Sequence, residues 1–177
     1  MAEPLPGLWS RLLAGAGALA LALPRPLWAL VAVGWAGFGW FLSSRPGEDL
    51  PSSFLWSWAG NLAHAPLFGL LALWLALAAP RRPASGERGP WARLARRDRL
   101  TILALVLAWS LTDEWHQSWV AGRDASVFDL VTDLVGAAVT LDVARAAGDP
   151  AATEAGLRRR MARGVLLCLG AALAATL

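Results

Sequence analysis

Phe54-Leu-Trp-Ser-Trp-Ala-Gly-Asn-Leu-Ala-His64-Ala-Pro66-Leu-Phe-Gly-Leu-Leu-Ala-Leu-Trp-Leu-Ala-Leu-Ala-Ala79 is a run without a single Asp, Glu, Lys or Arg. Its length exceeds the roughly 20 residues that cross a hydrocarbon core about 30 Å thick. In lipid the backbone must satisfy its own hydrogen bonds, so a continuous apolar run of this length is a helix and not a strand. Pro66 interrupts it, removing one amide donor and freeing the carbonyl of Leu62. Three further apolar blocks stand around it. One runs from Leu27 to Ser44, with Trp28 at one end and Trp40 and Phe41 at the other as interface anchors. Another starts at Leu100, stays apolar to Leu111 and turns polar over Thr112 to Gln117. The last runs from Val127 to Leu141 and carries Asp129 and Asp133 inside it. The fold expected is all-α: a polytopic membrane protein of four to five transmembrane helices in a small bundle.

Composition agrees. The 177 residues are 56% apolar and 16% charged, with mean hydropathy +0.47, whereas a soluble domain carries roughly a quarter charged residues. That excludes an ordinary soluble enzyme and a disordered chain. The single cysteine, Cys168, excludes an intrachain disulfide and a CxxC metal site. All 16 basic residues are arginines, and the pI near 10.8 in isolation would point to nucleic acid. Their distribution gives another meaning. Segments 80–99 and 142–163 hold twelve arginines, and the connections around Arg45 and Arg123 hold one each. This positive-inside bias makes both arginine-rich segments cytoplasmic and the Arg45 and Arg123 loops external in a multi-pass protein of the cell membrane. No nucleic-acid partner is expected; the lipid bilayer is.

The ends divide the chain further. Residues 1–26 read as an N-terminal interfacial or re-entrant segment, preferred over a signal peptide with a cleavage site at Ala20-Leu21-Ala22. Residues 27–143 form the membrane domain and 144–163 a cytoplasmic arginine-rich segment. Residues 164–177 form a short C-terminal apolar helix, either a tilted fifth span or an interfacial segment.

Counting depth from the cytoplasmic ends places His64 roughly 24 Å up, and Asp113 and Asp129 roughly 20 Å up. Three helices thus bring ionisable groups to one level of the outer leaflet. Each intramembrane carboxylate costs about 2.5–3.5 kcal/mol on insertion scales, so several at a shared depth point to mutual contact or to water. Singly, His64 reads as an interhelical hydrogen bond and Asp129 as a helix cap favoured by the helix dipole. Asp133 lies a full turn inside its helix, on the face it shares with Asp129 at i,i+4. As a set, His64, Asp113, Glu114, His116, Gln117, Arg123, Asp129 and Asp133 are the candidate binding residues. Asp113 and His116 are the least certain in direction, because Glu114 and His116 diverge by about 200° on a regular helix.

The run Asp113-Glu114-Trp-His116-Gln117, then Gly122-Arg123, then Asp129 and Asp133-Leu-Val-Gly136 resembles the signature of the VanZ-like family. Asn61-Leu-Ala-His64 with Phe68 resembles that family's upstream His helix. Two positions depart from it: Phe68 stands where an aromatic hydroxyl is common, and Asp133 where an asparagine is common. The resemblance implies a small polytopic membrane protein of the cell envelope, linked to resistance to the glycopeptide teicoplanin; it supplies no mechanism.

Three functions compete. The preferred one is a non-catalytic envelope protein whose outward-facing polar pocket binds a lipid headgroup or a lipid-linked or cell-wall precursor, with Arg123 able to pair bidentately with a phosphate or carboxylate. Four or five carboxylates to one arginine weigh against an anion. The alternative is a membrane-embedded metal-dependent hydrolase working near the outer surface. His64, Glu114, His116, Asp129 and Asp133 have ligand types suited to a divalent metal, but no HExxH spacing is present. Third comes a proton- or cation-coupled carrier, weakened by the lack of an inverted repeat.

Overall fold

The computed structural model describes residues 7–47, 53–80, 95–123, 125–149 and 152–177. Within them the chain is all helix, in the order α1 (Leu8–Ala22), α2 (Arg25–Ser43), α3 (Phe54–Ala78), α4 (Arg96–Gln117), α5 (Val127–Ala147) and α6 (Glu154–Thr176). The arginines expected on the inside between residues 81 and 93 lie outside the described residues, as do residues 1–6 of the N-terminal segment and Asp124, which follows Arg123.

Local sequence accounts for the helix starts. Ser53, Ser126 and Thr153 each occupy an N-cap and accept from the backbone amides of Trp56, Phe128 and Gly156, satisfying donors that the first turn leaves without partners. Pro26 stands in the first turn of α2, where its missing amide removes no helical bond. Pro66 stays inside α3 without ending it. Two features differ in extent from the sequence reading. α4 runs on through the polar stretch to Gln117, and α6 begins at Glu154. The second half of the arginine-rich segment and the apolar tail are therefore one helix of 23 residues.

α3 lies at the centre, packed most extensively on α5 and also touching α2, α4 and α6. The core mixes small residues, Ala32, Ala72 and Ala137, with Phe68, Leu71, Ile102 and Leu141. Many other bulky residues face outward, with Leu19, Leu30, Leu55, Trp119 and Leu166 all at least two-thirds exposed. Helices associating in lipid gain nothing from hiding leucine, and small residues let their backbones approach closely. Among the described residues α2 and α3 are long and apolar enough to cross a membrane.

The closest approach is between α3 and α5. A Cβ at Gly136 would run into the backbone of Ala65, and one at Gly69 would meet Thr140 Oγ1 at 2.6 Å. Glycine at both positions lets the helices touch, which carries His64 up to Asp133. Indole donors tie the remaining helices by backbone: Trp35 Nε1 donates to the Leu67 carbonyl and Trp28 Nε1 to that of Ala20, each at 2.8 Å.

Candidate functional site

The eight residues singled out by sequence gather at one end of the bundle, but into three groups. The innermost sits on α3, α4 and α5. His64 Nδ1 lies 3.0 Å from Asp133 Oδ1, and Ser110 Oγ donates to the other oxygen, Asp133 Oδ2. Asp133 is 1% exposed and His64 19%. An ionised Asp133 only accepts, so it holds the proton on Nδ1 and turns the Nε2 edge of the imidazole away from itself. One turn above Ser110, Glu114 Oε2 accepts from the backbone amide of Ser126 at 2.7 Å, pinning the start of α5. Among the described residues its other oxygen, Oε1, is buried without a partner, and so is Asp129 Oδ1. Glu114, Asp129, Asp133 and His64 all lie within electrostatic range of one another.

The second group joins α2 to the end of α4. Asp113 accepts from Ser43 Oγ at 2.6 Å and from Gln117 Nε2 at 3.0 Å, both carboxylate oxygens being used. His116 points elsewhere, as the helical angles require. Its ring meets Trp40 edge-on at 3.9 Å, and its Nε2 lies 3.3 Å from Ser44 Oγ.

Arg123 forms the third group. Its Nε donates to the Arg45 carbonyl and its Nη2 to that of Leu42, so its planar fork holds the end of α2. The turn that carries it needs Gly122, at φ 70° in the left-handed region. Arg123 still acts electrostatically on Asp129.

Sequence reasoning missed Ser110, Ser43, Ser44 and Trp40. Ser110 was detectable: at i−4 from Glu114 it shares that residue's helical face. The serines at the end of α2 carried no signal, since they find Asp113 and His116 only through tertiary packing. The candidate metal ligands do not converge. Among the described residues no three His, Cys, Asp or Glu side chains are arranged to hold a metal ion.

Residues 23–146 match the family model described as VanZ/LLP1. The chain belongs to the VanZ/LLP1 family. The match takes in all eight candidate residues and leaves α1 and α6 outside. No curated protein and no solved structure matches the chain.

The chemistry available to the innermost group is that of acceptors. Two buried carboxylate oxygens lack donors, Asp133 is fully engaged, and the one nearby guanidinium is occupied by carbonyls. A buried acceptor without a donor costs about 1–3 kcal/mol. A group presenting O–H or N–H, or a proton shared between the carboxylates, would recover it. A cavity of about 660 Å³ between α3, α5 and α6 is lined by apolar side chains such as Leu62, Pro66 and Val139. The α3 residues lining it stand on the face opposite His64.

Proposed function

We propose that this VanZ/LLP1 member is a multi-pass envelope protein whose outward-facing polar site binds the headgroup of a lipid or a lipid-linked envelope precursor through its hydroxyl or ammonium groups. The observation that carries the reading is the pair of unpartnered buried oxygens, Glu114 Oε1 and Asp129 Oδ1, beside the His64–Asp133 pair. Such a site favours a ligand rich in donors over a bare anion. With Nδ1 bound to Asp133, the Nε2 edge of His64 is left for the ligand. α2 to α5 are read as four spans: even the shortest, α2 with 19 residues, matches the thickness of the hydrocarbon core. α6 is the fifth, its arginines at the cytoplasmic end. A role in glycopeptide (teicoplanin) resistance would follow from occupancy of an envelope precursor.

The test is mass spectrometry of the lipids that stay with the purified protein in mild detergent. Wild type should be enriched in a class with a hydroxylated or amino headgroup, relative to the whole-membrane extract. Glu114→Gln and Asp129→Asn should lose that class while keeping the wild-type melting temperature. Equal enrichment in all three proteins, or loss only together with unfolding, refutes the reading.

A further inference from the structure

The opposite end of the bundle carries a second feature. Around Asp142 on α5 lie two adjoining cavities, of about 200 and 330 Å³, that share Ala138 and Asp142. Arg96 and Arg99 of α4 line the first, and Arg160 and Arg163 of α6 line the second. Asp142 is occupied: both its oxygens accept from Arg160 Nη1, at 3.0 and 2.9 Å. It therefore neutralises one arginine and leaves three. Arg99 Nε is buried and has no acceptor among the described residues, although an orphaned charged donor is costly. Below the arginines the walls turn apolar, through Leu103 and Leu141 on one side and Val139 and Leu167 on the other. Leu100 at the mouth of the first cavity is 55% exposed.

We propose that this crevice binds an anionic phospholipid, its phosphate held by Arg96, Arg99 and Arg163 and its acyl chains lying along the Leu103 and Leu167 walls. Guanidinium groups suit phosphate because their paired N–H groups match its oxygens. Basic pockets between helices on the cytoplasmic side of a membrane bind lipid headgroups on this principle. The apolar walls favour a lipid over free phosphate. The proposal rests on the reading of α4 to α6 as membrane-embedded, and it concerns the end of α5 away from Glu114 and Asp129.

The experiment measures binding of phosphatidylglycerol to the detergent-purified full chain, by native mass spectrometry with titrated lipid. Phosphatidylcholine and inorganic phosphate serve as the other probes. Arg99→Gln combined with Arg163→Gln should weaken phosphatidylglycerol binding about 30-fold. Arg158→Gln combined with Arg159→Gln removes the same charge from residues that line neither cavity, and should change binding less than about threefold because these charges act on the phosphate only at a distance and through screening solvent. Arg163 is exposed, so Arg163→Gln alone should fold normally and still weaken binding. Equal weakening by both double variants would overturn the proposal in favour of general surface charge. Equal binding of phosphatidylcholine, or displacement of the lipid by millimolar phosphate, would overturn the lipid assignment. Extraction of the chain into buffer without detergent would instead defeat the membrane reading itself, and Glu114→Gln tests the outer site independently.

Discussion

The geometry of the outer site depends on the α3–α5 contact, and Gly136→Ala tests that dependence. A Cβ at residue 136 would stand 2.7 Å from Ala65 Cα and closer still to its carbonyl oxygen. Ordinary contact begins near 3.4 Å and that oxygen stands far inside it, so the helices must part by about 1.3 Å, and the obstacle is backbone that cannot rotate aside. His64 adjoins Ala65 and Asp133 lies one turn from Gly136, so the displacement falls on their pair. Added to 3.0 Å, it gives about 4.3 Å, beyond hydrogen-bonding distance. Overpacking costs about 1–3 kcal/mol, and a broken hydrogen bond to a buried carboxylate adds about 1.5–3 kcal/mol. The expected destabilisation is therefore about 2.5–6 kcal/mol by the two ranges together. Gly69→Ala is the milder comparison: its Cβ meets the Thr140 hydroxyl, a side chain that can turn away, at 2.6 Å and the Gly136 carbonyl oxygen only at 3.2 Å, and it should cost about 1 kcal/mol. Reversible unfolding in mixed detergent micelles, followed by circular dichroism, measures both. Nitrogen-15 spectra of the two histidines report whether Nδ1 of His64 keeps its partner. Gly136→Ala with wild-type stability and an unchanged His64 signal would refute the account of how this site is positioned.

Arg123→Lys keeps the charge but loses the fork that spans the Leu42 and Arg45 carbonyls, so it should loosen the turn between α4 and α5 at a cost of about 1 kcal/mol. Faster proteolysis between α4 and α5, with lipid binding at Glu114 and Asp129 retained, is the expected result; loss of binding with the turn still protected would make Arg123 a ligand contact. In a Cys168→Ala background, an impermeant thiol reagent should label Ala125→Cys from outside the cell and leave Asp149→Cys untouched. The reverse pattern would invert the orientation read from the arginines.

Helical class was legible because apolar run length is a direct consequence of bilayer thickness, as in Phe54 to Ala79. α6 was harder. Arg158, Arg159, Arg160 and Arg163 mask its first half in any reading by hydropathy, while the Thr153 cap that starts it is a short-range feature easily passed over. At the site, depth counting brought His64, Asp113 and Asp129 to one level, with Asp133 a turn deeper and Glu114 within a turn above, because helical rise is fixed. Direction was a different matter. The divergence of Glu114 and His116 by about 200° did foretell that one would leave the group, yet nothing local told that His116 would meet Trp40 or that Asp113 would take Ser43. Those partners come from α2, a contact set by how the helices pack. Arg123 shows the same limit from the other side. Its residue type invited a phosphate, but the free carbonyls at the end of α2 are acceptors present in every helix, and the turn at Gly122 delivers the guanidinium to them. With its fork on backbone, Arg123 donates to neither Glu114 Oε1 nor Asp129 Oδ1 among the described residues, and this is why the proposed ligand is a donor of hydroxyl or ammonium hydrogens and not a bare anion.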